Sequence, residues 1–514
     1  MRMRFPILLV LAASSTIYAA RDSDTVVAVT GGKVRGTLLV ASGAVFKGIP
    51  YAKAPVGVLR WQAPSPVEPW TGVRDATTFG PPCAQNPYFI DNAKETSRED
   101  CLFLNVWTPA WPANSAKLPV MVLIPGGGNF AGAADERAPG DKLIRRGVIV
   151  VTFNYRLGIF GFFSHPELSA ESPHHVSGNQ GFLDQIAALR WVHENIANFG
   201  GDPDNVTIFG ESAGSFNVSV LATSPLARGL FGRIIGESGA VVVAGEPLNL
   251  PDAEKRDLAL AATWTAEGNL SLKNLLALRA DAILAKEPNF LADPQPNLGL
   301  VVDGYVFTER PEDAFAAGRQ QRIDMLLGSL AHEWRPGLRP PADLNQAIEA
   351  SYPSDIAKRA LTLYQTSGTD PLYGTPAEQW VEDSSFRCPS VAQLTWHAVA
   401  GNRAFEFQFD RLPPGFDKSQ NAHHQDVQYL FGLGPGKFEA SDYALSDAMQ
   451  EYWTNFAKTG DPNGAGKLPN WPQFDPASKR FMELTDAGPI VRKDLRGKYC
   501  ELWIEAEKQS RKGQ

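Results

Sequence analysis

The stretch VTIFGESAGSF, residues 206–216, constrains the fold more than any other part of the chain. An alternating apolar run leads directly into G-x-S-x-G, and a helix-like segment follows. A serine on so tight a strand-to-helix turn has strained backbone angles, and side chains two residues before or after it would collide with neighbouring backbone. Gly210 and Gly214 remove those side chains. The pattern predicts a nucleophile elbow that presents Ser212, and a plain strand-to-helix turn is the alternative.

Apolar runs typical of strands alternate with helical segments through the middle of the chain. LPVMVLI starts at Leu118, and VIVVTF starts at Val148. From Gln180, apolar residues recur at mixed three- and four-residue spacing, which predicts a helix that stops at the Gly-Gly pair 200–201. The cluster GDPDN, residues 201–205, predicts a turn before VTIF. This order predicts an α/β protein with βαβ connections.

A second glycine-rich segment follows the run LPVMVLI. Pro125 precedes Gly126, Gly127 and Gly128. Because successive glycines let backbone N–H groups approach an oxyanion without obstruction, the segment predicts an oxyanion hole. The alternatives are a flexible loop or a phosphate cradle, but a Walker lysine and a G-x-G-x-x-G pattern are both missing here.

The first residues join two arginines, an apolar run and the small residues Ala19 and Ala20, as secretory signals do. We therefore predict a signal peptide over residues 1–20 and one domain over residues 21–514. A membrane anchor is the alternative, but the apolar run is shorter than a bilayer-spanning helix requires. The net charge of −8 argues against a nucleic-acid partner.

Four cysteines in an exported chain can pair in three ways, and spacing alone does not choose among them. The closest two, Cys83 and Cys101, would close a small loop, which would leave Cys388 and Cys500 for a long-range bridge. The sequence has neither C-x-x-C nor a Cys/His cluster, so we expect no structural zinc site.

Taken together, these and several other segments resemble the type B carboxylesterase family, which also contains the cholinesterases and the non-catalytic neuroligins. The most specific segments are FKGIPYAKAPVGVLRWQAP, SREDCLFLNVWTP, VTFNYRLGIFGFFS, GNQGFLDQIAALRWVHENIANFGGDPDNVTIFGESAGS and YWTNFAKTGDPN. The resemblance covers nearly the whole mature chain. It implies an α/β-hydrolase fold: a central, mostly parallel twisted sheet flanked by helices, with helical insertions around an active-site gorge.

The resemblance also implies the partners of the serine. The family places its acid a few residues after a strand that ends in glycine, and Glu333 in MLLGSLAHEW holds that position; on sequence alone Asp303 in VVDG is a rival. The family places its catalytic histidine nine residues before a glycine, and His423 stands in that relation to Gly432. The adjacent His424 is the alternative. The order serine, acid, histidine is the order expected of the fold.

Further roles rest on the same resemblance. The oxyanion donors would be the amides of Gly127, Gly128 and Ala213. Ser238, in GESGA, would support the triad from behind, or it is a buried structural hydroxyl. The family's disulfides would correspond to Cys83–Cys101 and Cys388–Cys500.

Two positions depart from the family pattern, Pro125 before the glycine triplet and Asn129 after it. Backbone donors do not depend on these side chains, so we expect the oxyanion hole to survive. The sequence makes no prediction of how these two residues affect the acyl pocket nearby.

These observations predict a secreted or periplasmic carboxylic-ester hydrolase that acts through an acyl-enzyme. We expect a small-molecule ester substrate, no cofactor, no metal, no nucleic-acid partner and no stable membrane anchor; the sequence makes no prediction of oligomeric state. The loop 84–100 lacks the tryptophan with which cholinesterases bind quaternary ammonium groups, so neutral esters of small to medium acids are expected. The alternatives are a non-catalytic adhesion protein of the same fold, or an amidase or carbamate hydrolase.

Overall fold

The computed structural model describes most of the chain after the predicted signal peptide, which lies outside the described residues. The described ranges are 25–40, 43–113, 116–135, 140–242, 246–265, 268–288, 299–333, 338–416, 422–433 and 438–511. Within these ranges, no helix combines the length and the apolar character needed to cross a bilayer.

The strands are short and are spread over the whole chain. They are β1 (Val26–Val29), β2 (Gly32–Arg35), β3 (Thr37–Leu38), β4 (Ala44–Pro50), β5 (Val73–Asp75), β6 (Phe103–Thr108), β7 (Leu118–Leu123), β8 (Ile149–Phe153), β9 (Gly201–Glu211), β10 (Arg233–Glu237), β11 (Leu248–Asn249), β12 (Val301–Val302), β13 (Asp324–Leu330), β14 (Ala404–Asp410), β15 (Arg480–Thr485) and β16 (Gly488–Lys493).

Helices connect most of these strands. They are α1 (Ala93–Thr96), α2 (Asp141–Ile144), α3 (Gly158–Gly161), α4 (Pro166–Glu171), α5 (Gln180–Asn195), α6 (Ala213–Leu221), α7 (Leu250–Ala261), α8 (Leu272–Leu276), α9 (Ala280–Leu284), α10 (Pro311–Ala316), α11 (Leu344–Ser351), α12 (Ser354–Ser367), α13 (Pro376–Glu382), α14 (Cys388–Val399), α15 (Gln425–Phe431), α16 (Ala440–Thr459) and α17 (Gly497–Ser510).

The main sheet has 11 strands in the order β16-β15-β14-β13-β10-β9-β7-β8-β6-β4-β3. The strands from β8 to β15 pair in parallel. The strands at both ends pair antiparallel. Helices cover both faces, and the predicted α/β-hydrolase architecture is confirmed.

Each central strand is buried on both faces because its side chains alternate between two separate cores. In β7, Val120 and Val122 pack into the core shared with α5 and α6, whereas Met121 and Leu123 pack into the core shared with α2, α15 and α16. The sequence of a strand that is covered on both faces is a nearly continuous apolar run, which explains the composition of LPVMVLI and VIVVTF.

In the middle of the sheet, the order in which strands are added changes from one side of β7 to the other, and this switch point positions the site. The chain passes from β7 to β8 on one side of β7, and it then crosses to β9 on the other side. Ligands of open α/β sheets bind beyond the carboxyl ends of the strands at such a switch point. The glycine triplet follows β7 and Ser212 follows β9, so the two turns lie side by side.

Three local expectations can be compared with the structure here. The helix predicted from Gln180 is α5, which continues as a 3₁₀ turn and stops at Gly200 with a left-handed φ of 88°. The turn predicted over residues 201–205 is instead a bulge inside β9, because Leu118 pairs with Gly201 and Val120 pairs with Val206. The strand expected to end at Gly328 continues to Leu330.

Candidate active site

The backbone around Ser212 has the strained conformation that the sequence predicts. Ser212 adopts φ 55° and ψ −121° between the end of β9 and the start of α6. A Cβ atom on Gly210 would lie 2.6 Å from the carbonyl oxygen of Ile124, and one on Gly214 would lie closer still to the same oxygen. The two glycines therefore let the elbow pack directly against the end of β7.

The structure brings Ser212, His423 and Glu333 into one hydrogen-bonded chain. His423 Nε2 lies 2.8 Å from Ser212 Oγ, and His423 Nδ1 lies 2.6 Å from Glu333 Oε2. The amide of Leu330 donates to Glu333 Oε1 at 2.8 Å. Both the glutamate and the imidazole are buried.

The rival acid and the rival histidine make other contacts. Asp303 accepts hydrogen bonds from the amides of Tyr305, Val306 and Phe307, which makes it the organiser of its own loop. His424 directs Nδ1 toward Glu211 Oε2 at 2.9 Å.

The glycine triplet forms a tight turn at the end of β7. Gly127 and Gly128 have φ values of 106° and 65°, which favour glycine. The carbonyl of Gly127 accepts from the amides of Phe130 and Ala131, which closes the turn. Among the described residues, no backbone hydrogen bond uses the amides of Gly127, Gly128 or Ala213 as donor.

Asn129, which follows the triplet, has a role that the sequence did not indicate. Its backbone is also left-handed, with φ 61°. Its Oδ1 lies 2.9 Å from both Tyr155 OH and Asn217 Nδ2, in a buried polar network. The hydroxyl of Tyr155 also reaches the carbonyl of Pro125 at 2.9 Å. The Asn129 side chain thus ties the glycine turn to α6, because Asn217 belongs to that helix.

A cluster of buried carboxyl groups behind the triad was also not anticipated. Glu237, at the end of β10, accepts from Trp453 Nε1 at 2.7 Å. Burial, and to a lesser degree the charge of Glu211, raise the pKa of Glu237 to about 8 against this hydrogen bond. Burial and the neighbouring charges of Glu237, Glu211 and Glu333 also raise the pKa of Asp426. Acidic residues in helices and strands give no sequence signal that separates such a cluster from surface charge.

Ser238 follows Glu237 directly and has φ 54°. Its amide donates to the carbonyl of Gly328 in β13 at 2.8 Å. Its hydroxyl is buried without a hydrogen-bond partner in the described part of the chain. Support of the triad by Ser238 stays a prediction.

A small cavity of about 40 Å³ opens beside the glycine turn. Apolar side chains from the turn, from the segment around α3 and from α7 line much of it: Phe130, Ile159, Phe162 and Leu260. One polar wall is the ion pair of Arg256 with Asp257, with Nε and Oδ1 2.7 Å apart. The cavity adjoins Gly128, and its surface is mainly apolar.

Two disulfides connect the four cysteines. Cys83 is joined to Cys101, and Cys388 is joined to Cys500. The loop closed by the first bridge carries Tyr88 to the edge of the Phe130 ring, with centroids 4.9 Å apart. The second bridge links α14 to α17.

Similarity to known proteins extends over almost the entire chain. The sequence profile of the Carboxylesterase family matches residues 23–503. A liver carboxylesterase of Sus scrofa is 35% identical over 551 residues, which cover 97% of this chain and 96% of that protein. The precursor of a medium-chain fatty acyl-CoA hydrolase of Anas platyrhynchos is 33% identical over 523 residues, with 93% and 91% covered.

Solved structures give the same result. A carboxylesterase of Geobacillus stearothermophilus has a TM-score of 0.80 and 32% identity, and the match covers 93% of this chain and 100% of that one. A PNB esterase has a TM-score of 0.79 and 32% identity, with the same coverage. With similarity extending over both the fold and the full length of its relatives, the chain belongs to the carboxylesterase family, and it is an enzyme, a carboxylesterase.

Proposed function

We propose that this carboxylesterase hydrolyses neutral esters of small to medium carboxylic acids through a Ser212–His423–Glu333 triad and an acyl-enzyme intermediate. The observation that carries the proposal is the buried hydrogen-bonded chain from Ser212 Oγ through both imidazole nitrogens to Glu333 Oε2. Glu333 accepts the Nδ1 proton, which fixes the tautomer in which His423 Nε2 accepts from the serine.

The reaction then follows as two acyl transfers. Ser212 Oγ attacks the ester carbonyl while His423 Nε2 takes its proton, and the imidazolium returns that proton to the departing alcohol as the C–O bond breaks. Water next attacks the acyl-enzyme and gives a proton to His423 Nε2. The acid leaves and Ser212 Oγ recovers its proton from the imidazolium. Glu333 stabilises the imidazolium in both halves of the reaction.

The oxyanion of each tetrahedral intermediate is assigned to the amides of Gly127, Gly128 and Ala213. The amide of Ala213 lies at the N-terminus of α6, whose dipole favours negative charge. Each preorganised donor lowers the barrier by roughly 3–4 kcal/mol. We assign Ser238 to the support of this arrangement, because its amide fixes the end of β10 to the strand that precedes Glu333.

We assign the acyl group to the side of the site that has the apolar surface beside Gly128, which suits the uncharged acid part of a neutral ester. The names of the relatives agree with ester chemistry, since they include a liver carboxylesterase and a PNB esterase. An amidase or carbamate hydrolase would use the same triad. Comparison of an aryl ester with the matched anilide distinguishes these activities, and we expect the ester to be cleaved much faster.

The location and the domain organisation complete the proposal. A signal peptide over residues 1–20 and two disulfides support a secreted or periplasmic protein. The family match over residues 23–503 supports one domain over 21–514. N-terminal sequencing of the exported protein should begin near residue 21.

Substitution of the adjacent histidines tests the triad. His423→Ala should reduce kcat for p-nitrophenyl esters by about 10³-fold or more, and Glu333→Gln should approach that loss. His424→Ala is the matched control and should keep at least about a tenth of the wild-type kcat. Exchange of the two histidine phenotypes, or full activity of His423→Ala, would refute the assignment.

A further inference from the structure

The carboxylate of Glu211, the residue before Ser212, lies between two imidazole rings. Its Oε1 is 3.2 Å from His423 Nε2, and its Oε2 is 2.9 Å from His424 Nδ1. One carboxylate therefore links the proposed base to the histidine that follows it in sequence.

The two oxygens of Glu211 are in different situations. In the resting state His423 Nε2 has to accept the serine proton, so it presents a lone pair and not an N–H group. In agreement with this, Glu211 Oε1 is buried and has no hydrogen-bond partner in the described part of the chain. Its charge is felt fully only when Nε2 carries a proton, which happens in the transition states on both sides of the acyl-enzyme. The other oxygen, Oε2, faces His424 Nδ1.

His424 is held in place by its neighbours but is not buried. Its side chain is 36% exposed. Its ring meets the edge of Phe89 with centroids 6.5 Å apart and an interplanar angle of 81°. It immediately precedes α15, so its backbone is fixed by a helix start. These contacts can therefore keep Nδ1 of the ring directed at Glu211.

We propose that His424 is a positioning residue for ester hydrolysis that acts through Glu211. Donation from His424 Nδ1–H to Oε2 holds the carboxylate so that Oε1 faces His423 Nε2 when the imidazolium forms. The inference rests on the proposed triad. Because the interaction strengthens in the transition state and not on substrate binding, its loss affects kcat and leaves KM unchanged.

Variants of His424 separate donation from packing. Asparagine carries an N–H donor at nearly the position of Nδ1, whereas phenylalanine keeps the ring against Phe89 and has no donor. We expect His424→Phe to lower kcat by about threefold to tenfold, as for a partly exposed charge-assisted hydrogen bond, with KM changed by less than about twofold. His424→Asn should restore kcat to within about twofold of the wild type. Titration with a fluorophosphonate gives the concentration of active sites, so kcat is calculated without any contribution from misfolded protein. His424→Ala serves as a second variant without a donor.

A double-mutant cycle with Glu211→Gln provides the decisive comparison. In that background the oriented charge is gone, and His424→Phe should change kcat by less than about twofold. Wild-type kcat in His424→Phe and His424→Ala, failure of His424→Asn to restore the rate, or an equal loss in the Glu211→Gln background would overturn the inference. The proposed function itself fails if Ser212→Ala or His423→Ala still hydrolyses ester at the wild-type rate, and neither result depends on the His424 variants, so the two failures are distinguishable.

Discussion

Ser212 holds a backbone conformation that a non-glycine residue adopts only under constraint, and it is not alone at this edge of the sheet. Asn129, Ser212 and Ser238 have φ values of 61°, 55° and 54°. They follow the strands β7, β9 and β10 respectively. Each such residue costs of order 1–3 kcal/mol, and strain of this kind concentrates at functional sites. The strain at these single residues thus lies at the same edge of the sheet as the proposed triad.

The buried carboxyl of Glu237 leads to a prediction on stability and pH. Burial raises its pKa from the ordinary 4.5 to about 8, so the folded protein keeps a proton that the unfolded chain has already lost across this window. The unfolded chain binds fewer protons there, and the free energy of unfolding falls as pH rises from about 5 to 8. Glu237→Gln cannot ionise and can still accept from Trp453. We compare the melting temperature of this variant with that of the wild type at each pH. The variant's advantage over the wild type should be larger at pH 8 than at pH 5 by at least about 2 °C.

Glu406 is a matched control for this substitution. Burial raises its pKa to about 8 as well, but it lines a different cavity, beside Cys500. Glu406→Gln should show the same dependence of stability on pH and leave kcat unchanged. A difference in melting temperature between Glu237→Gln and the wild type that is identical at pH 5 and pH 8 would contradict the expected protonation of the buried carboxyl cluster.

At the scale of elements, the elbow works because β9 and α6 approach the end of β7 without intervening side chains. A methyl group on Gly210 would lie 2.6 Å from the Ile124 carbonyl oxygen and 2.7 Å from the carbonyl carbon of Gly214. Both neighbours are backbone atoms and cannot rotate away. We expect Gly210→Ala to reduce the free energy of unfolding by about 1–3 kcal/mol and to lower kcat through displacement of Ser212.

Gly232→Ala is the control for that substitution. Gly232 lies just before β10, and a methyl group added there would meet no atom of the described residues within 4 Å. The free energy of unfolding of the Gly232→Ala variant should stay within about 0.5 kcal/mol of the wild-type value, as measured by denaturant unfolding. Equal stability of both alanine variants would show that the close approach at the elbow is not needed.

Local sequence patterns predicted the helices and turns near the site better than they predicted how the strands pair. The elbow and the helix from Gln180 follow from spacing and glycine chemistry, which act within a few residues. The bulge at 202–205 and the extension of β13 to Leu330 depend on pairing with strands distant in sequence, which no local pattern encodes. The contact of Glu211 with His424 was missed for the same reason.

At the scale of the whole molecule, the sheet order brings distant residues together. Glu333 and His423 are 90 positions apart, and Ser212 and His423 are 211 positions apart. The residues follow β9, β13 and β14, which lie on the same side of the switch point in the sheet. Composition and spacing predicted the nucleophile, but only the family resemblance indicated Glu333 over Asp303 and His423 over His424.

Substrate preference also belongs to the whole molecule, because it depends on the loop closed by Cys83 and Cys101. This loop has no tryptophan, and its aromatic residues Tyr88 and Phe89 both pack near the Phe130 ring. We expect kcat/KM for a choline ester to exceed that for the matched 3,3-dimethylbutyl ester by less than about thirtyfold, the equivalent of about 2 kcal/mol. A larger ratio would reveal a cation site in this enzyme.

Covalent labelling is the sharpest test of Ser212 as the nucleophile, because only an activated serine reacts rapidly with a fluorophosphonate. Wild-type protein and Ser212→Ala are treated with the reagent, digested and analysed by peptide mass spectrometry, and p-nitrophenyl ester hydrolysis is measured in parallel. We predict a single adduct on the wild-type peptide that contains Ser212, none in Ser212→Ala, and a loss of kcat of several orders of magnitude in that variant. An adduct on a different serine, or ester hydrolysis by Ser212→Ala at the wild-type rate, would contradict the proposed mechanism.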